Sequence, residues 1–287
     1  MITRLMRPGV RRLRHAGDVR AVRKLLEAPA VERVVSVILR SSTVRGVPRF
    51  VLRELVGGRV VGRYRLREGD FEILIRHGTA DLATLDEVFY RREYEFPDDI
   101  RQTLGIDKQP ISVIDLGANI GLFDLWVLRH FRDAAVTAFE PDSWNLEMLR
   151  RCVALNDRTG RWTVVGAAAS NHAGTAAFTG GAVSLSRIEA EGGNAMVETV
   201  DVFPYLDGAD FAKIDIEGGE WAILGDERFR TCPVQVIVLE YHPHLCPSDD
   251  PKMYAHALLE RAGYSTIERE HQDDPPGYGL IWASRDS

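Results

Sequence analysis

The chain has 287 residues, 45% hydrophobic and 27% charged, close to the average for a soluble globular protein and enough to bury a full core, which excludes global disorder. No apolar run reaches the roughly 18 residues needed to cross a bilayer, which excludes transmembrane spans. The net charge of −6 is unevenly divided: residues 1–67 carry 17 Lys/Arg against 4 Asp/Glu, and the remainder carries 19 against 38.

That division sets a basic N-terminal appendage, residues 1–75, against an acidic body, residues 76–287. A basic arm suits phosphate or an anionic membrane surface; the plainer reading packs it on the acidic body or leaves it a solvated helix face. Its Arg-rich start lacks an apolar h-region, so no secretory signal is expected. Cys152, Cys232 and Cys246 form no CxxC pair, which fits a reducing cytoplasm better than a disulfide framework or a zinc ribbon.

Residues 9–41 carry apolar side chains at helical spacing, with Pro29 separating two helices. Two short apolar stretches around Gly57-Gly58 predict a hairpin over 50–66. Phe71–Ile75 is a strand, and a helix over 81–91 follows with Asp81 as its N-cap. From residue 111 a regular alternation begins: strand 111–116, helix 120–131, strand 135–140, helix 143–156, strand 162–168. Residues 174–201 are less regular, with a hairpin, glycines at 180–181 and 192–193, and an extended 197–202. Strand 211–216, helix 219–229, strand 234–240 and helix 252–262 resume the alternation. An antiparallel pair, 264–268 and 279–283, closes it. The expected fold is α/β: a doubly wound, mostly parallel, Rossmann-like sheet with a mainly helical N-terminal appendage. Ligands of such sheets bind at the carboxyl ends of the strands, which is where the chemistry-bearing residues fall.

The first group is Asp115-Leu116-Gly117-Ala118-Asn119-Ile120-Gly121, between a strand and a helix. Gly117 permits a sharp turn, Gly121 a close approach at the helix start. The middle glycine of GxGxxG is replaced by Asn119, so this is not the dinucleotide fingerprint. Asp115, before the turn, is awkward for pyrophosphate and well placed for an ammonium group. The second group is Glu140-Pro141, ending the next strand, where a carboxylate can accept both hydroxyls of a ribose. The third is Lys213-Ile214-Asp215-Ile216-Glu217-Gly218-Gly219-Glu220. Period two places Lys213, Asp215 and Glu217 on one side, where three charges demand pairing or a position at the open sheet edge. Such acids and a lysine can orient a hydroxyl, take its proton or hold a cation. The plainer reading is an ion-pair cluster capping the next helix. The fourth is Glu240-Tyr241-His242-Pro243-His244, read as a general base at His242 or as metal ligands with Asp215. A divalent metal is the less favoured of the two. His15, His77, His130, His172, His256 and His271 read as surface or helix residues.

An acid before the turn and a ribose acid after the second strand look like a class I S-adenosylmethionine methyltransferase, with NAD binding the alternative within the same fold. Together the four groups resemble the FkbM family of methyltransferases. The distinctive part is Lys213–Glu220 followed by a strand ending Glu240-Tyr241-His242, with Gly78-Thr79-Ala80-Asp81 and Glu93-Tyr94 similar to the family's entry segment. The resemblance implies S-adenosyl-L-methionine as methyl donor and, usually, O-methylation of a hydroxyl on a polyketide, a sugar of a glycosylated metabolite, or a lipid-linked sugar. On that reading Asp115, Gly117, Ala118, Asn119 and Gly121 hold the methionine part and Glu140 with Pro141 the ribose side. Asp215, Glu217 and His242 surround the acceptor hydroxyl, with His242 or Asp215 as base. Lys213 orients the acids, and Tyr94, Thr79 and Asp81 close over the site. The expected partner is a small-molecule or lipid-linked acceptor. Peripheral membrane contact and a homodimer are compatible with the basic helices, and nucleic acid is not favoured. Two rivals remain: an RNA methyltransferase using the basic arm, and an inactive cofactor-binding partner subunit.

Overall fold

The computed structural model describes residues 29–56, 58, 60–105, 110–180, 187–189, 192–269 and 276–285. The helix expected before Pro29 lies outside them. The N-terminal part is α1 (Pro29–Ser41), α2 (Val47–Val56) and a two-stranded antiparallel ladder, β1 (Val61–Arg65) with β2 (Glu72–Arg76). The hairpin expected over 50–66 is therefore replaced by a helix and one strand. Phe50 is fully buried, with Val51 and Leu55 packed against the same cluster. That i, i+1, i+5 pattern fills one helical face, which period two does not.

Next come α3 (Asp81–Leu85), which continues as a π-helical turn over Asp86–Arg91, and α4 (Asp98–Leu104). Ala80, not Asp81, is the N-cap of α3. The Asp81 carboxylate is turned back instead, accepting from the Arg76 backbone N–H at 2.7 Å and the Arg76 guanidinium at 2.7 Å. Helix α4 was not expected; it buries only Ile100 and Leu104, too few apolar positions for a periodic signal.

The alternating region builds β3 (Ser112–Leu116), α5 (Leu122–His130), β4 (Ala135–Phe139), α6 (Ser143–Asn156) and β5 (Trp162–Val165). The strand expected over 162–168 then breaks. Ala168–Ser170 (β6) leaves for a second sheet with β7 (Gly174–Thr179), β8 (Arg187–Ile188) and β9 (Ala195–Asp201), in the order β6-β9-β7-β8. After α7 (Phe203–Leu206), the chain returns through β10 (Phe211–Ile214), α8 (Glu220–Leu224), a 3₁₀ turn over Glu227–Thr231 and β11 (Val236–Tyr241). It ends with α9 (Pro251–Arg261), β12 (Ser265–Arg269) and β13 (Gly279–Ser284).

The main sheet has seven strands in the order β12-β13-β11-β10-β3-β4-β5. Strands β3, β4, β5, β10 and β11 are parallel, and β13 runs against both β11 and β12. Neighbouring residues along a strand face opposite cores. Val113, Phe211, Val236 and Trp282 join one cluster with α5 and α6, while Ile114, Ala212, Ile237 and Ile281 join another with α8 and α9. A sheet covered on both faces explains the continuous apolar runs that made these strands legible. The first cluster extends without a break through Val37, Val44 and Phe50 of the N-terminal part. His77, read as a surface residue, is fully buried between Tyr64 Oη at 2.7 Å and Glu54 at 2.8 Å.

The chain leaves β3 toward β4 and β5, then crosses back to β10 on the other side of β3. This reversal opens a crevice at the carboxyl ends of β3 and β10. Gly117 makes it possible: its φ is +89°, and a Cβ there would lie 1.8 Å from the Asp215 carbonyl oxygen. At Gly121, φ +85°, a Cβ would instead meet the ends of the Leu149 and Trp162 side chains at 2.8 and 3.1 Å. Gly117→Ala should therefore cost more than about 3 kcal/mol in denaturant unfolding, because backbone has to move. Gly121→Ala should cost less, about 1–2 kcal/mol, because side chains can turn away.

Candidate active site at the carboxyl ends of the strands

A cleft of about 340 Å³ opens at this crevice, lined by Gly117, Asn119, Glu140, Pro141, Asp215 and Glu217, among others. Of the residues picked out by sequence, these six share one cavity. Thr79 and Asp81 also line it, with Arg76, Trp144, Asn145, Phe178 and Arg187. Sequence reasoning missed those five. Arg76 is placed by Asp81 and by Asn145 Oδ1 at 2.6 Å, and Phe178 and Arg187 arrive from the second sheet. Their only signal was a position near a turn.

Glu140 is 4% exposed. One carboxylate oxygen accepts from the Asn119 N–H and the other from the Asp142 N–H, each at 2.8 Å. Burial pushes its pKa up to about 8, against the two N–H bonds that favour the ionised form. The turn itself is pinned: the Gly117 and Ala118 N–H groups both donate to the Phe139 carbonyl. Ala118 is buried, and Gly121 packs on Leu149 and Trp162.

Asp115 does meet an ammonium group, and it belongs to the chain. The carboxylate is fully buried, and its Oδ1 lies 3.3 Å from Lys213 Nζ. Lys213 Nζ also donates to the Gly117 carbonyl at 3.1 Å, pairs with Asp215 Oδ2 at 3.0 Å and lies 5.5 Å from the Phe123 ring centre. Burial opposes a charge on Lys213, but Asp115 and Asp215 outweigh it and raise its pKa. Behind Asp115, burial and the Asp115 charge hold the Asp124 carboxyl well above the usual carboxylate range. Asp124 accepts from Trp162 Nε1 at 3.0 Å. The alternation expected over 213–217 ends early, since β10 stops at Ile214. Glu217 then takes a left-handed backbone, φ 52°. Burial lifts the Glu217 carboxyl to about 7, with the His242 charge opposing and Asp215 adding.

His242 is 2% exposed. Its Nδ1 meets Glu220 Oε1 at 3.1 Å, and the same oxygen accepts the His242 N–H at 2.9 Å. Its Nε2 faces Glu217 at 3.6 Å, with Asp215 and Glu240 each at 3.9 Å. Burial disfavours the imidazolium, yet Glu220, Glu240 and Asp215 together push its pKa up to about 10. At neutral pH His242 therefore carries a proton and is a poor base. Fully buried Glu220 also accepts from the Gly218 N–H at 2.8 Å, and Trp221 Nε1 ties the His242 and His244 carbonyls at 3.0 Å. Tyr94 is buried behind the acids, donating to Glu240 Oε2 at 3.1 Å. His244 turns away to Ile188 and Glu189, because Pro243 ends the strand alternation.

A family model described as the methyltransferase FkbM domain matches residues 115–266. The methyltransferase sdnD of Sordaria araneosa is 39% identical over 67 residues, which are 23% of this chain and 26% of that protein. The matched stretch thus spans about a quarter of the curated relative. Among solved structures, precorrin-6Y C5,15-methyltransferase of Geobacter metallireducens is 16% identical, covering 67% of this chain and 91% of that one, with a TM-score of 0.38. TYW2 of M. jannaschii, in complex with AdoMet, is 12% identical over 79% and 86%, with a TM-score of 0.40.

A pH effect on stability follows from Glu140. Its folded pKa of about 8 lies above the ordinary 4.5, so the folded chain binds more protons than the unfolded one between those values. Stability of the ligand-free protein contributed by this group is full below about 4.5 and is lost as pH rises toward 8. Glu140→Gln removes the titration. Thermal melts at pH 5.5 and 8.5 should show the variant gaining on the wild type as pH rises; parallel curves would mean that Glu140 titrates normally.

Proposed function

The chain belongs to the FkbM methyltransferase family, and from that premise we propose that it is an S-adenosylmethionine-dependent O-methyltransferase acting on a hydroxyl of a small-molecule or lipid-linked acceptor. The observation that carries this reading is that Glu140, beyond β4, and Asp215 and Glu217, beyond β10, open onto the same cleft from either side of β3. A carboxylate suited to ribose hydroxyls and a pair of acids suited to an acceptor hydroxyl thereby share one cavity.

The donor set is compatible with this cofactor. Each Glu140 oxygen accepts a single backbone N–H, which leaves lone pairs for ribose hydroxyls. Gly117, Asn119 and Pro141 shape the wall beside it. When bound, S-adenosylmethionine supplies an electrophilic methyl group and the chain supplies position. Asp215, held through one oxygen by Lys213, and Glu217 flank the acceptor oxygen, one orienting the hydroxyl and one taking its proton. His242 contributes positive charge beside the two acids. Lys213 and Asp115 are positioning residues, since both are buried behind the cleft wall.

The cleft mouth favours a lipid-linked acceptor over a free polar one. Val60, Val61 and Trp144 line the cleft and are 42%, 40% and 66% exposed. Leu52 and Val56, one turn apart on α2, are also exposed. Arg45, Arg49, Arg63 and Arg65 line a hollow in the same N-terminal part, together with Glu72, which pairs with Arg63 and Arg65. Exposed apolar side chains at the cleft mouth, with an arginine excess elsewhere in the N-terminal part, suit an anionic lipid surface.

Calorimetric titration of S-adenosylmethionine and S-adenosylhomocysteine should show micromolar binding of each. Glu140→Ala should weaken both by about ten- to a hundredfold, the loss of a buried hydrogen-bonding group and of the two N–H partners it orders. Asp215→Asn should bind both normally and lose turnover; loss of binding in that variant would refute the assignment. A chain that binds neither ligand would overturn the methyltransferase reading itself.

A second expectation concerns the acceptor. Val56→Asp should slow turnover of a lipid-linked sugar presented in anionic vesicles and leave turnover of the water-soluble sugar unchanged. Equal effects on the two acceptors would exclude a membrane-borne substrate.

A further inference from the structure

Three side chains beside the cleft share an arrangement that the acid–base reading does not use. Asp215, Glu240 and His242 each have one polar atom fixed from behind. Asp215 Oδ2 is held by Lys213 at 3.0 Å. Glu240 Oε2 is held by the Tyr94 hydroxyl at 3.1 Å. His242 Nδ1 is held by Glu220 at 3.1 Å. Each residue then presents its other atom, Oδ1, Oε1 and Nε2, to a common point.

The spacing at that point is informative. His242 Nε2 lies 3.9 Å from Asp215 Oδ1 and 3.9 Å from Glu240 Oε1, beyond the reach of a direct hydrogen bond. One potential ligand atom from each of the three residues lies within 4.8 Å of the others. Two atoms each about 2.1 Å from one ion lie at most about 4.2 Å apart, so a shift of a few tenths of an ångström brings all three into one coordination sphere. His242 is 2% exposed, and among the described residues its Nε2 makes no hydrogen bond, with Glu217 Oε2 its nearest carboxylate at 3.6 Å. An imidazole whose far nitrogen is held by a carboxylate is the usual posture of a metal-ligating histidine, because the outer partner fixes ring and tautomer. Here every ligand has such an outer partner.

We propose that Asp215 Oδ1, Glu240 Oε1 and His242 Nε2 bind one divalent cation, which displaces the Nε2 proton of the ion-free site to solvent. The mixed nitrogen–oxygen set suits a first-row ion such as Mn²⁺ or Zn²⁺ better than Ca²⁺ or Mg²⁺, which take oxygen ligands. Three protein ligands leave coordination positions open. Asp215 lines the cleft, so an open position faces the acceptor. If the methyl-transfer reading holds, on which this role rests, the ion binds the acceptor oxygen and makes its proton easier to remove, with Glu217 beside it to receive that proton.

The test uses the full chain, stripped of metal with a chelator and dialysed, without S-adenosylmethionine. Mn²⁺ is titrated in, and the free ion is followed by the loss of its six-line electron paramagnetic resonance signal. One ion per chain is expected. Asp215→Asn and Glu240→Gln should each abolish it. Tyr94→Phe keeps all three ligands and removes only an outer partner; it should weaken binding by about ten- to a hundredfold, which guards against a ligand variant that merely fails to fold. No Mn²⁺ bound by the wild-type chain would overturn the site, as would unchanged binding in Asp215→Asn or Glu240→Gln. Titrating S-adenosylmethionine into the same metal-free protein by calorimetry separates failure of the ion site from failure of the methyltransferase reading.

Discussion

Lys213 is where the two halves of the molecule meet. Its ammonium reaches Asp115 on β3, the Gly117 carbonyl in the turn after β3, and Asp215 just beyond β10. A charge buried to 3% exposure is tolerated only if it is fully paired. Lys213 is paired with groups from each side of the reversal in chain direction. The close passage of Gly117 against the Asp215 carbonyl, the floor of the cleft and the angle of Asp215 all follow from that pairing. Asp124 lies behind that pairing, its carboxyl pushed well above the usual range by burial and by the Asp115 charge. The side chain that sequence logic assigns to a ligand ammonium is thus already engaged by the chain's own. Asp115 acts on the cleft through the lysine and the turn, from behind the wall.

Much of this was legible in the sequence because of how the sheet is covered. Strands buried on both faces read as short apolar runs, and each run ends at the residues that matter, at Asp115, Glu140, Lys213 and Glu240. The cleft contributions of Gly117, Asn119, Glu140, Pro141, Asp215 and Glu217 follow from that rule alone. What was not legible depends on contacts far apart in the chain. Tyr94 reaches Glu240 across 146 positions, and nothing local marks that pair. Glu220 sits in a helix start where an acid is unremarkable, and only the fold reveals that it anchors His242. Helix α2 reads as part of a hairpin because six apolar residues in ten satisfy either period when Gly57-Gly58 follows. The burial of Phe50 decides between them.

The acids around His242 show how environment divides chemically similar side chains. Glu217 and Glu220 are three positions apart, yet one lines an open cleft and the other is fully buried and tied to two backbone N–H groups. The buried one is structural, and its charge keeps a proton on the histidine it touches. The open one faces the cleft, 3.6 Å from the far nitrogen of the same histidine. No property of glutamate separates them. The difference is one of place: Glu217 stands at the cleft wall, and Glu220 is buried in the first turn of α8.

The second sheet has an implication for how such a protein changes over time. It leaves the main sheet after β5 and returns before β10, bringing Phe178, Arg187 and Ile188 to the cleft wall. The residues that hold Lys213 and Glu140 in place all lie outside it. The segment between Ala168 and Asp201 can therefore lengthen, shorten or exchange side chains without disturbing the ammonium pairing or the ribose-facing carboxylate. Lineages that share the central machinery are free to diverge in what they accept, with the variation confined to one excursion of the chain.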